Sequence, residues 1–258
     1  MLKLLLLTLI ISLFVFAATG LAQGKPTDIL QKKVYVGTKN VKLPYRWLEP
    51  LEAKSGEKYP LVIFLHGAGE RGDDNQKQLV HGVGDFLKPE RRKQNPCFLI
   101  APQCPAGKKW VEVDWSAASH TMPATPSDPM GLLIELLPKL LKDFPIDPKR
   151  VYVTGLSMGG YGTWDLVARH PEWFAAAAPI CGGADEATAD KIKDLPIWVF
   201  HGEVDTVVKP ERSRNMVEAL KKAGGKPQYT EYPKVSHNSW SATYANQKFH
   251  DWLFQQKK

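Results

Sequence analysis

The chain has 258 residues, 43% hydrophobic and 24% charged, with a formal net charge of +7. This length and balance fit one or two globular domains with a sizeable core, and exclude a disordered or fibrous chain. The lysines and arginines are scattered, with no basic run interleaved with aromatics, so no nucleic-acid-binding face is expected; the surplus describes a solvated surface, with anionic wall polymers as the alternative partner.

The first predicted element is a processing signal. Met1-Leu2-Lys3 precedes an apolar run from Leu4 to Ala18, then small residues at Gly20 and Ala22. A basic start, an apolar middle and a small-residue end predict a secretory signal over 1–22, cut after Ala22. The alternative is an uncleaved anchor, because the run approaches spanning length. Cleavage leaves residues 23–258 as one exported domain, secreted or periplasmic, with no stable membrane partner.

Next come V-Y-V (34–36) and P-Y-R-W-L (44–48), which suit an antiparallel start. L-V-I-F-L-H-G (61–67) reads as a strand feeding a glycine-rich loop, L-H-G-A-G-E-R-G-D-D-N (65–75). Its Asp73-Asp74-Asn75 predicts a cap for the following helix rather than a metal site. C-F-L-I-A-P (97–102) is the next strand. As a strand it would hold Cys97 and Cys104 roughly 20 Å apart, too far to bridge. With Cys181 the cysteine count is odd, so buried or free thiols are expected, and no group has metal-ligand spacing.

A long connection, 107–129, carries Trp110 and Trp115, and Asp128-Pro129 predicts the cap and first position of a helix over 132–142. R-V-Y-V-T-G (150–155), F-A-A-A-A-P-I (174–180) and P-I-W-V-F-H-G (196–202) read as strands, with helices at 158–169 and 211–222 between and after them. Q-Y-T-E-Y (228–232) is the last strand, followed by an amphipathic terminal helix containing His250. Near-continuous apolar strands alternating with amphipathic helices predict an α/β fold with a mostly parallel sheet covered on both faces.

The chemistry centres on V-T-G-L-S-M-G-G (153–160). G-x-S-x-G between a predicted strand and helix describes a sharp turn that thrusts a serine hydroxyl outward, so Ser157 is the candidate nucleophile. The acid should follow, then the histidine. Asp205 lies just beyond strand 196–202, at the sheet edge that also receives Ser157; Asp194 precedes that strand and falls at the wrong end, and Glu203 is the nearer rival. Of the later histidines, His250 belongs to the terminal helix, leaving His237 in the polar loop P-K-V-S-H-N-S-W as base. His66 and His201, each before a glycine at a strand end, are expected to be structural, and His81 and His170 helical. The oxyanion donors expected are the backbone N–H groups of Met158 and Ala68. Trp110 and Trp240 are candidate substrate contacts.

These motifs, from F-L-H-G-A-G-E-R-G-D-D-N through F-L-I-A-P-Q-C, V-T-G-L-S-M-G-G-Y-G-T-W, P-I-C-G-G and W-V-F-H-G-E-V-D to H-N-S-W, together resemble the α/β-hydrolases. More narrowly they are similar to bacterial secreted esterases of the phospholipase/carboxylesterase-like group, near feruloyl esterases and poly(hydroxyalkanoate)-depolymerase-like enzymes. The resemblance covers residues 60–258 and implies a serine esterase with Ser157, Asp205 and His237 as triad and no cofactor. Some such relatives carry an extra N-terminal β-sandwich, for which 23–59 is too short. Dienelactone hydrolases, also near this group, use cysteine where this chain has Ser157. Only 181–191 separates the sixth strand from the next helical stretch, leaving no room for a lid there. The substrate expected is an ester, feruloylated or acetylated wall polysaccharide or a simple short-chain ester. The alternatives are an oligopeptidase-like serine peptidase and a catalytically dead binding protein.

Overall fold

The computed structural model describes residues 26–38 and 40–258; the expected signal segment, 1–22, lies outside them. Eight strands form one sheet: β1 (Gln31–Val36), β2 (Lys42–Leu48), β3 (Tyr59–Leu65), β4 (Phe98–Pro102), β5 (Ile146–Leu156), β6 (Ala176–Ile180), β7 (Trp198–Gly202) and β8 (Gln228–Tyr232). Their order is β1-β2-β4-β3-β5-β6-β7-β8. β1 and β2 pair antiparallel, as does β2 with β4; every pairing from β4 through β3 to β8 is parallel.

The helices are α1 (Val83–Phe86), α2 (Pro89–Gln94), α3 (Asp128–Asp143), α4 (Met158–Arg169), α5 (Ala189–Ile192), α6 (Glu211–Lys222), α7 (Trp240–Ala245) and α8 (Gln247–Gln255). They cover both faces of the sheet, and the strand pattern explains why. Along β3, Leu61, Ile63 and Leu65 join the core under α3, α4 and α6, while Val62 and Phe64 join the opposite core with α1, α7 and α8. β5 divides likewise, Val151 and Val153 facing one way and Tyr152 the other. A strand buried on both faces reads as an uninterrupted apolar run, because alternation has no wet side to mark.

Two local expectations shift. Ser127, not Asp128, caps α3: its Oγ accepts the Met130 N–H at 3.3 Å, and Asp128 becomes the first helical residue with Pro129 second. Neither His81 nor His170 is helical: His81 sits in the turn before α1, and His170 follows the last residue of α4. Asp74 does act as a local cap, its Oδ1 accepting the Gln76 and Lys77 N–H groups at 2.8 and 2.9 Å. Cys97, Cys104 and Cys181 are all unpaired and buried. No helix among the described residues is long and apolar enough to cross a membrane.

Candidate active site

Parallel strands deliver their carboxyl ends to one rim, and the loops leaving β3, β5, β7 and β8 meet there. Ser157 stands alone between β5 and α4 with φ 53° and ψ −117°, a left-handed conformation that a side-chain-bearing residue holds only under constraint. Its N–H donates to the Ile180 carbonyl of β6 at 2.9 Å, which locks the turn. The flanking glycines make the turn sterically possible. A β-carbon on Gly159 would lie 1.9 Å from the Leu65 carbonyl oxygen, and one on Gly155 would lie 2.4 Å from that of Gly159. Any larger residue would push α4 off the sheet.

Asp205 is reached by the turn after β7 and is buried. Its Oδ1 accepts the Val207 and Val208 N–H groups at 2.8 and 3.0 Å, which fixes the carboxylate in one orientation. Burial pushes this carboxyl up, but the His201 and His237 imidazoles and the Val207 amide outweigh burial and hold it well below the ordinary carboxylate range. It is therefore an anion at neutral pH.

His237 hangs from the loop between β8 and α7. Val204 N–H donates to the Val235 carbonyl and Lys234 N–H to the Glu203 carboxylate, so the β7 and β8 loops are stitched together. Glu203 is thus a loop tie rather than the acid. His237 Nδ1 lies 2.7 Å from Asp205 Oδ2, and its Nε2 lies 2.9 Å from Ser157 Oγ. A carboxylate only accepts, so Nδ1 carries the proton and the Nε2 lone pair faces the serine hydroxyl. The structure brings Ser157, His237 and Asp205 into one hydrogen-bonded line.

Met158 opens α4, and Ala68 opens a short 3₁₀ turn, Ala68–Glu70. Among the described residues neither N–H has a hydrogen-bond acceptor. Ala68 borders the same cavity as Ser157. Its loop is held from behind: Arg71 Nε donates to the Ala68 carbonyl at 2.8 Å, and Gln103 Nε2 to the Glu70 carbonyl at 3.1 Å. His66 reinforces the start of the loop. Its Nε2 accepts the Cys104 N–H at 2.9 Å, which leaves Nδ1–H to donate to the Gly67 carbonyl at 2.6 Å. Burial, then Arg71, holds this imidazole down at about 4 despite the Gly67 bond, so it is neutral and structural.

The tryptophans divide. Trp240 borders the cavity and packs edge-on against His237, with ring centroids 5.3 Å apart. Trp110 does not: it is wholly buried, and its indole N–H donates to the His66 carbonyl at 3.1 Å. The expected substrate contact at Trp110 is therefore corrected to a core anchor beneath the Ala68 loop. Trp115, from the same connection, lines the cavity instead.

The cavity holds about 270 Å³ and is walled by Trp115, Trp240, Leu156, Val207 and Val208, with Glu70 and His81 as its polar corner. Val207 is 60% exposed at the mouth, so the site opens directly to solvent. A larger groove of about 360 Å³, beside Asp194 and Trp252, lies beyond the amino ends of the strands and carries no nucleophile–base pair. Cys181, Asp205 and His237 place potential ligand atoms within 4.8 Å of one another. Asp205 and His237 already spend theirs on each other and on Ser157, and burial pushes the Cys181 thiol up to about 12, so the set is poorly suited to a metal.

Comparison with known proteins agrees with this architecture. Residues 133–248 match the Dienelactone hydrolase family model. A probable carboxylesterase of Oryza sativa subsp. japonica is 26% identical over 73% of this chain and 75% of its own length. An endo-1,4-beta-xylanase/feruloyl esterase of Xylanibacter ruminicola is 30% identical over 73% of this chain, which spans only 25% of that protein. Among solved structures, a thermostable esterase superposes with a TM-score of 0.84 at 43% identity, covering 90% of this chain and 64% of that one.

Proposed function

The chain belongs to the α/β-hydrolase superfamily, among its esterases, and from that premise we propose that Ser157 is the nucleophile of a carboxylic-ester hydrolase working through an acyl-enzyme. The observation that carries this reading is the unbroken contact from Asp205 through His237 to a serine held at positive φ.

Ser157 Oγ attacks the ester carbonyl carbon as His237 Nε2 takes its proton. The carbonyl π pair moves onto oxygen, and the N–H groups of Ala68 and Met158 receive the oxyanion; losing one such donor typically costs about 2.7–4 kcal/mol. Asp205 stabilises the imidazolium without taking its proton. Collapse breaks the bond to the alkoxide, which leaves as the alcohol with the proton from Nε2. Water then repeats both steps on the acyl-enzyme, and the carboxylic acid departs.

The substrates proposed are acyl or feruloyl esters of plant-wall polysaccharide, with simple short-chain esters as the smaller case. The open mouth and aromatic walls support bulky esters, and the Xylanibacter relative's feruloyl esterase name supports the polysaccharide class. Export from the cell is part of the proposal and rests on the amino-terminal sequence alone. A panel of p-nitrophenyl acyl esters, methyl ferulate and peptide anilides tests it. Ester turnover that vanishes in Ser157→Ala supports the reading. Anilide turnover alone would make the chain a peptidase, and silence throughout would leave a binding protein.

A further inference from the structure

The Glu70 carboxylate is the unusual group in the cavity. Its side chain is only 12% exposed, yet among the described residues no donor hydrogen-bonds either carboxylate oxygen. Its polar neighbour is the His81 imidazole, with Nε2 3.7 Å from Oε1, beyond hydrogen-bond distance. The rest of the wall, from Trp115, Trp240, Leu156 and Val207, is largely apolar, so Glu70 and His81 are the polar corner of an open cavity. Mostly covered, facing the cavity and lacking a hydrogen-bond donor among the described residues, the carboxylate can take one from a ligand while keeping its ion-pair neighbour His81. An acceptor left open inside a substrate-sized cavity points to a donor arriving with the ligand.

The spacing narrows the chemistry. A single oxygen can stand at ordinary hydrogen-bond length from two atoms 3.7 Å apart, donating to one and accepting from the other. A hydroxyl group does both: its O–H donates to Glu70 Oε1 and its lone pair accepts Nε2–H of His81. An ammonium group has no lone pair for His81, and a carboxylate would meet Glu70 as a like charge. His81 is held in place by Trp240, whose ring lies 5.5 Å away and which also touches His237, so the polar corner and the proposed base share one wall.

Resting on the esterase reading, we propose that Glu70 and His81 form a hydroxyl-recognition subsite, so that the preferred esters carry a hydroxyl beside the scissile group. A polyol or sugar alcohol would present it on the leaving side, and a hydroxyacyl group on the acyl side.

Three matched pairs of esters test this by kcat/KM. Propyl acetate against 3-hydroxypropyl acetate places the hydroxyl in the alcohol, and methyl butyrate against methyl 3-hydroxybutyrate places it in the acyl group. 3,3-Dimethylbutyl acetate against acetylcholine asks about positive charge. The expected result is a preference of about tenfold or more for the hydroxylated member of at least one of the first two pairs. Which pair responds identifies the side. Glu70→Leu should level that pair, Glu70→Gln should keep part of the preference, and His81→Phe should weaken it. Wild-type enzyme that turns over the plain esters but ignores the hydroxyl in both pairs overturns the subsite while leaving the esterase reading intact. So does a preference for acetylcholine that exceeds either hydroxyl preference. Wild-type enzyme inactive on every ester removes the esterase reading, and the subsite with it.

Discussion

His201 Nε2 lies 3.3 Å from Asp205 Oδ2, the oxygen that also receives the His237 Nδ1–H. His201 is wholly buried; its Nε2 also lies 2.8 Å from the Val208 carbonyl, and its Nδ1 2.7 Å from Ser213 Oγ. A carbonyl only accepts, so the proton sits on Nε2 and is shared between Val208 and Asp205. The ring thus holds Asp205 from inside the protein while His237 approaches from the cavity.

His201→Leu should therefore lower kcat with little change in KM, because Asp205 loses a fixed donor while the cavity is untouched. The acid limb of kcat/KM against pH should move to higher pH, since the whole carboxylate charge then falls on His237. The orphaned Ser213 and Val208 groups should cost about 1–3 kcal/mol of stability. A variant with normal kcat and an unmoved pH profile would reduce His201 to packing.

Asp205→Asn should keep the fold and lower kcat by roughly 10⁴, through the wrong imidazole tautomer. Stability makes a second test. The folded Asp205 carboxyl is held below its ordinary range, so its contribution is present above ~4 and is lost as pH falls below that value toward the folded one. The acid side of a Tm–pH curve should be shallower in the variant than in wild type.

Trp110→Ala and Trp240→Ala should separate cleanly. Trp110 is core, and its loss should cost about 3–5 kcal/mol, seen as a large fall in Tm. Trp240 borders the cavity and is half-buried, so its loss should raise KM for bulky esters with a much smaller change in Tm.

Three histidines set the neutral-to-acid slope of stability. Burial first, aided by Arg71 at His66, Arg212 at His120 and Arg91 at His250, holds all three folded imidazoles down at about 4. An unfolded histidine takes its proton near ~6.5, so the unfolded chain binds more protons between these values. Their stabilisation is complete above ~6.5 and is lost as pH falls to about 4. Tm should decline across that window, and His250→Gln should remove one proton from the slope.

The parallel core was legible because strands buried on two faces leave long apolar runs, as β3 (Tyr59–Leu65) and β6 (Ala176–Ile180) do; α6 showed instead by its helical spacing over Glu211–Lys222. Ser157, Asp205 and His237 could be nominated because parallel strands oblige their carboxyl ends to meet. Trp110 could not be told from Trp115, since an irregular connection has no periodicity to say which ring turns inward. The Glu70–His81 corner was hidden for a different reason. It exists only where the β3 loop and the turn before α1 close on Trp240, and no local spacing encodes that meeting.

Three unpaired thiols sealed in the interior are shielded from oxidants in the folded chain and bared in the unfolded one. Heating in air should release them together, and random cross-linking would then trap the melted chains. Heat inactivation should thus recover on cooling when a reductant is present and fail to recover without one.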